Sequence, residues 1–394
     1  MPKIRLLIIT NRFVIGGPAF HVADLARRLQ SDFEVLIIGG EAAKGEENNL
    51  KMFSGLNSEP ILIEGFSRKF NPFLDWRSYY KIKKLIRDFK PQIVHTHTLK
   101  PGLLGRWAAR VLKVPCIVHT YHGTLFHGYF GQSISTFLIH IERYFAKFSH
   151  QIIALSPQQA YELSTKYKIV SENKLKVIYP GIDFNRLFSS NDARKIIREN
   201  YKIPDDTLVL GAMGRLVDIK NLQLFLEGIY FLKSHNVKIK GLLIGDGPQK
   251  RILKDYCISL GLSYAEFSVG NQNEDIIFTS WFKEIGDIYS VLDGVALTSR
   301  NEGTPYSIIE AQMVGLPVIA ARVGGVADVV LENKSALLFS TKEEFFAQLL
   351  KWANGYFVDN NQMIENQNWA KNRFGADKMA NETKTLFFNL IQGG

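Results

Sequence analysis

Short apolar runs alternate with helical patterns along almost the whole chain, and this alternation fixes the fold class. In the first half, "IRLLIIT", "FEVLIIG", "PILIEG", "PQIVHTH", "PCIVHTYHG", "HQIIALS" and "KLKVIYPGID" read as buried strands. Between them lie segments such as "AFHVADLARRL", whose apolar residues recur near the helical period of 3.6. Strands alternating with helices imply α/β architecture with parallel sheets. A polar stretch, "FNRLFSSNDARKIIRENYKIPDDT", interrupts the pattern. The alternation then restarts with "LVLGAMG", "NLQLFLEGIYFLKS", "KIKGLLIG", "QKRILKDYCISLG", "EDIIFTSW", "GVALTS" and "PVIAA". The 394 residues exceed one ordinary core and suit two domains. The expected division is 1–185 and 186–375, each a doubly wound, Rossmann-like sheet, followed by a helical segment over 376–394. No short repeat period occurs, so the chain is no solenoid. The helix around "DKMANETKTLFFNL" puts Met379, Leu386, Phe387 and Leu390 on one face and needs a surface to cover; capping the second domain is the plain expectation.

Composition narrows the class. Hydrophobic residues make up 46% of the chain, ample for two cores. Cys116 and Cys257 are far apart in apolar settings, which argues against a disulfide framework or a thiolate metal site. "MPKIRLLIIT" reads as a strand rather than a signal peptide, and no apolar run reaches the roughly 20 residues of a membrane span. A cytoplasmic or peripheral protein is expected. The net charge of +10 favours anionic partners without choosing among phosphates, nucleic acid and acidic membrane.

Two doubly wound sheets predict a ligand at the carboxyl ends of strands, in a cleft between the halves. No G-x-G-x-x-G follows the first strand of either half, so a dinucleotide enzyme is disfavoured. "MGRLVDIKN" connects a strand to a helix and carries Arg215 and Lys220. A planar fork and a compact point charge together suit a diphosphate. Two solvated loop cations would look the same in isolation. In "SRNEGTPYSIIEAQMVG", a helix is predicted from Thr304 or Pro305, with Pro305 suited to the first helical position. The N–H groups of Tyr306 and Ser307 then face an anion, and Gly303 lets a ligand approach the backbone. Glu302 precedes this helix and Glu310 lies about 7 Å further along its axis. A phosphate at the helix end falls between the two carboxylates, each of which can accept from sugar hydroxyls. Gly16 and Gly17 in "VIGGPAF" leave similar room at the first strand-to-helix loop.

Histidines gather at 95, 97, 119, 122 and 127, so a metal is one reading. No H-E-x-x-H occurs and no acidic residue lies in these segments. Alternation separates His119 from His122 unless the strand ends between them, as Gly123 suggests. A hydrogen bond from His122 to a substrate is the favoured reading. The basic, aromatic segment 68–90 carries a core stripe of Ile82, Leu85, Ile86 and Phe89 beside Lys83, Arg87 and Lys90. It suits a solvated face, an acceptor patch or an anionic membrane surface. No nucleic-acid-binding module is present.

Taken in order, "GGPAFHV", "PQIVHTHTLKPGLLGRWAARVLKVP", "HTYHGTLFHGYF", "VIYPGID", "GRLVDIKN", "LLIGDGP" and "LTSRNEGTPYSIIEAQMVGLPVIAARVGG" resemble the family 4 retaining glycosyltransferases of the GT-B fold. The resemblance implies that Arg215 and Lys220 neutralise a nucleotide diphosphate in place of a metal, so no cofactor is expected. It implies that Glu310 holds the ribose hydroxyls and Glu302 the donor sugar. Gly303, Thr304, Tyr306 and Ser307 would line the sugar and distal phosphate. His122 would stand at the reaction centre, Gly16 and Gly17 under the phosphates, and 376–394 would cross back to the first domain. Two departures stand out: Pro305 has no N–H to offer, and Ser280 in "FTSW" replaces a frequent glycine near the base. The segment "AEFSVGNQNED" does not align. The implied reaction is retaining transfer of a sugar from a nucleoside diphosphate, uridine on family frequency, to a glycan or lipid-linked acceptor. A nucleotide-sugar epimerase and a non-catalytic nucleotide-sugar-binding protein are the alternatives.

Overall fold

The computed structural model describes residues 3–42, 49–66, 70–123, 131–190, 192–266, 274–282, 285–357 and 360–393. His127, residues 68 and 69 of the basic segment, and most of "AEFSVGNQNED" lie outside them. The first stretch runs β1 (Ile4–Arg12), α1 (Gly17–Leu29), β2 (Phe33–Gly40), β3 (Ile61–Ile63), α2 (Pro72–Phe89), β4 (Ile93–His97) and α3 (Leu99–Val111). It continues with β5 (Cys116–Thr120), α4 (Gln132–Lys147), β6 (Gln151–Ala154), α5 (Pro157–Tyr161) and β7 (Leu175–Val177). After α6 (Ala193–Asn200) come β8 (Leu208–Met213), α7 (Leu222–Ser234), β9 (Ile239–Ile244), α8 (Lys250–Ser259), β10 (Tyr264–Glu266) and β11 (Ile276–Ser280). The remainder is α9 (Ile285–Val291), β12 (Gly294–Leu297), α10 (Tyr306–Met313), β13 (Val318–Ala321), β14 (Ala336–Phe339), α11 (Lys342–Ala353), α12 (Asn360–Phe374) and α13 (Ala376–Gln392).

The chain divides into two compact units, residues 1–182 with 374–394, and residues 183–373. The first sheet has the order β3-β2-β1-β4-β5-β6-β7 and the second β10-β11-β9-β8-β12-β13-β14. Every recorded strand pair is parallel. Fully apolar strands follow from this, because helices cover both faces of a parallel sheet. Leu6, Leu7, Ile8 and Ile9 of β1 accordingly have no exposed surface. Strand order reverses between β1 and β4 in one sheet and between β8 and β12 in the other. Ligands of such sheets bind outside the strand ends at that reversal.

In the first unit, α1 and α13 pack on the side of Leu6 and Ile8, and α2 and α3 on the side of Leu7 and Ile9. Met379 and Phe387 of α13 are buried there, while Leu386 and Leu390 are only partly covered. The C-terminal helix therefore belongs to the first unit and does not cap the second. A parallel bridge between Ile182 and Gly375 joins the two crossings of the chain. In the second unit Phe225, Ile229, Leu243, Phe278 and Phe345 centre the core. Burial of each such side chain contributes about 1.5–3 kcal/mol. Both cysteines are buried thiols.

Candidate functional site

At the reversal of the second sheet, the loops leaving β8 and β12 are tied together. Arg300 N donates to Ile219 O at 2.9 Å, and Thr298 Oγ1 donates to Lys220 O at 3.0 Å. Lys220 closes a single 3₁₀ turn, Asp218–Lys220, after β8. Its Nζ donates to Glu302 Oε1 at 2.7 Å, and Ser299 Oγ donates to the same oxygen at 2.6 Å. The sequence supplies Lys220 as a cation aimed at an anion; here it also holds the carboxylate before α10. Both side chains keep surface, 20% for Lys220 and 13% for Glu302, so the pair faces solvent rather than core. The turn under Lys220 relies on Gly245, whose φ is +135° and whose added Cβ would lie 2.1 Å from Gly214 O. Arg215 is half-buried on the same connection and has interactions of its own.

The helix α10 begins at Tyr306, not at Thr304 or Pro305. Pro305 is the cap, with ψ of 113°, because its extended backbone lies outside the helical region. The first N–H groups of the helix still lack intrahelical acceptors by geometry. Thr304 is 9% exposed, and its buried Oγ1 has no hydrogen-bond partner among the described residues. A buried hydroxyl in that condition is costly unless a ligand completes it. Gly324 secures the preceding loop: its φ is +50°, and a Cβ there would meet Glu302 O at 1.8 Å.

Glu310 opens the second turn of α10 and is 8% exposed. Tyr289 OH on α9 donates to its Oε2 at 2.8 Å, and Arg186 Nη2 lies 3.3 Å from Oε1. Burial, and the Glu310 charge beside it, push the Tyr289 hydroxyl well above the usual tyrosine range, so it stays a donor. Arg186, Tyr289 and Ser299 were not singled out by sequence, since each is an ordinary residue until the fold brings it to a glutamate. Ser280 has a φ of +54°, the left-handed region that favours the glycine expected there.

The first unit has its own reversal, between β1 and β4. Gly16 caps α1, and a Cβ added to it would meet nothing within 4 Å. Gly17 is the first residue of that helix. The histidine cluster predicted from β4 and β5 is rearranged. Register pairs His97 with Thr120 and Thr96 with His119. Alternation therefore sends His119 to the opposite face, where its Nδ1 bonds Thr96 Oγ1 at 2.8 Å. The strand ends at Thr120, which frees His122 to turn back; its Nε2 lies 2.9 Å from His97 Nδ1. His21 of α1, which the sequence reading passed over, takes the vacant role. Its ring stands edge-on to His122, with centroids 4.8 Å apart. Burial lowers all of these imidazoles: His21 to about 4, His95 to about 3, and His97, His119 and His122 well below the usual histidine value.

Family models match both units: "Glycosyltransferase Family 4" over residues 15–186 and "Glycosyl transferases group 1" over residues 207–354. The UDP-Gal:alpha-D-GlcNAc-diphosphoundecaprenol alpha-1,3-galactosyltransferase of Escherichia coli is 27% identical over 336 residues, covering 84% of each chain. The capsular polysaccharide biosynthesis glycosyltransferase CapM of Staphylococcus aureus is 24% identical over 271 residues, 68% of each. Among solved structures, Anabaena HepE in complex with UDP superposes with a TM-score of 0.78 at 18% identity, covering 98% of this chain and 100% of the other. The last shows the fold, GT-B, with its two Rossmann-like sheets. The chain belongs to glycosyltransferase family 4 and is a sugar-transferring enzyme.

Proposed function

We propose that this enzyme moves a sugar, with retention, from a uridine diphosphate sugar to a hydroxyl of a glycan or lipid-linked acceptor in cell-surface polysaccharide or glycolipid synthesis. One observation carries the reading: Lys220 grips Glu302 at the start of α10, so a cation, a carboxylate and open helix N–H groups meet at one strand reversal. Such a group suits a diphosphate flanked by hydroxylated sugars. The names of the Escherichia coli and Staphylococcus aureus relatives supply the donor and pathway classes.

In this reading the anomeric C–O bond to phosphate breaks as the acceptor oxygen bonds the same carbon. The barrier is charge separation. Arg215, Lys220 and the N-terminus of α10, with Gly303, Thr304, Tyr306 and Ser307, stabilise the departing diphosphate without a divalent metal. The leaving phosphate oxygen takes the acceptor's proton, so no carboxylate serves as base. Glu302 accepts from donor-sugar hydroxyls and Glu310 from the ribose. His122 donates to the donor sugar, and Gly16 and Gly17 leave room for phosphate. The acceptor's membrane fits α2, where Phe73, Trp76 and Tyr80 are exposed by 71%, 62% and 50% beside exposed Arg77 and Lys84. Among the described residues no helix is long and apolar enough to cross a membrane.

The test is a thermal-shift panel of UDP, GDP and ADP sugars with and without chelator, followed by proton NMR of the product. Stabilisation by a UDP sugar that survives chelator, and an anomeric configuration matching the donor, are expected. An inverted product sinks the mechanism.

A further inference from the structure

We propose that His21, His97 and His122 form a binding site for a borderline d-block dication, with Zn²⁺ the representative ion. One nitrogen of each imidazole lies within 4.8 Å of the other two, the only group of three such ligands among the described residues. The site is built from three elements of one unit: α1, the end of β4 and the turn after β5. His97 Nδ1 and His122 Nε2 are 2.9 Å apart, and the His21 and His97 rings have centroids separated by 5.5 Å. Ligand nitrogens about 2.0–2.1 Å from a tetrahedral Zn²⁺ lie roughly 3.3 Å from one another. Binding requires the trio to adjust to that spacing from separations of up to 4.8 Å, the dication replacing the hydrogen bond between His97 and His122.

The donors choose the ion. Three imidazoles with no carboxylate in the group suit Zn²⁺, Ni²⁺, Co²⁺ or Cu²⁺ and are wrong for Mg²⁺ and Ca²⁺, which want oxygen. His21 Nδ1 and His97 Nε2 are buried and make no hydrogen bond among the described residues. An unmet imidazole nitrogen in the interior is expensive, and a dication can supply the partner that His21 Nδ1 lacks. His122 is the half-buried member and gives the ion its way in, with a fourth position left for solvent. Occupancy withdraws His122 Nε2 from any other partner.

The experiment is calorimetric titration of the tag-free full chain with ZnCl₂ and MgCl₂, with Co²⁺ visible spectroscopy to report coordination. One Zn²⁺ per chain in the micromolar range or tighter, no Mg²⁺ binding, and a four-coordinate Co²⁺ spectrum are expected. His21→Ala, and independently His97→Gln, should each weaken Zn²⁺ at least about tenfold, whereas the exposed His140→Ala and His235→Ala should not. Circular dichroism of each variant verifies folding, and His97→Gln serves if His21→Ala does not fold. Absence of Zn²⁺ binding, or binding undiminished in the folded variants, overturns the proposal.

Discussion

The strand reversals of the two sheets carry contrasting chemistry on the same scaffold. Around β8 and β12 stand ion pairs that keep some surface, Lys220 with Glu302 on the connecting loops and Arg186, from the turn before α6, with Glu310 of α10. At β1 and β4 the equivalent position holds neutral, buried imidazoles. The ion pairs of the second sheet can meet a charged ligand; the imidazoles of the first offer hydrogen bonds without carrying charge. A charged pair also exists in the first unit, Arg106 with Glu142, but both side chains have 0% exposure and serve packing. Among the ion pairs, exposure separates those of the candidate site from a brace.

Breaking that contrast ranks the outcomes. The largest belongs to the brace. Glu142→Gln leaves Arg106 charged and unpaired in the interior and should cost about 3–5 kcal/mol in urea unfolding. A loss no larger than that of a surface substitution would place Arg106 outside the core economy. Next, Lys220→Ala or Arg215→Ala should lower turnover with a UDP sugar by about 10²-fold or more while stability changes little. Near-normal kcat/KM in both would remove the diphosphate assignment.

The neutral histidines respond to pH instead. Their folded pKa values lie below the unfolded value near 6.5, so acidification protonates the unfolded chain first. Stability is therefore full above about pH 6.5 and falls as pH drops toward about 4 for His21 and about 3 for His95. The slope is roughly 1.4 kcal/mol per pH unit for each histidine. Denaturant midpoints at pH 7, 6 and 5 check it, and His95→Gln should flatten the curve. Glu310→Gln should weaken donor binding about tenfold through KM with kcat largely kept, because a hydroxyl acceptor is lost but no proton donor. An unchanged KM with collapsed kcat would point to proton transfer. Smallest is Ser280→Gly, which relieves a left-handed φ but frees the unfolded chain, for a net change below about 1 kcal/mol by thermal unfolding. Ser280→Val should instead destabilise by more than that.

Periodicity made the two sheets legible, because interior parallel strands announce themselves as unbroken apolar runs such as "LLII". The edge strands of the second sheet were harder. β10 and β14 are short, and Tyr264–Glu266 sits in a polar stretch without alternation. The glutamates, Arg215 and Lys220 could be found from type and order along the chain. Their partners could not: Tyr289 reaches Glu310 only because α9 lies beside α10, a tertiary fact with no local signature. His21 was hidden for the same reason, lying far along the chain from the strands it faces. The start of α10 is not encoded locally, because proline's suitability for a first helical turn does not tell whether its own ψ is helical.

The docking of α13 on α1 makes the first unit discontinuous in sequence. Phe33, at the start of β2, rests against Phe387 and Phe388 of that helix. During synthesis the part of this face that α13 covers, beside α1, stays open while the whole second unit is made. The second unit, by contrast, uses one uninterrupted segment and can close on itself as it emerges. The first unit is thus completed only when α13, made last of its parts, docks on it.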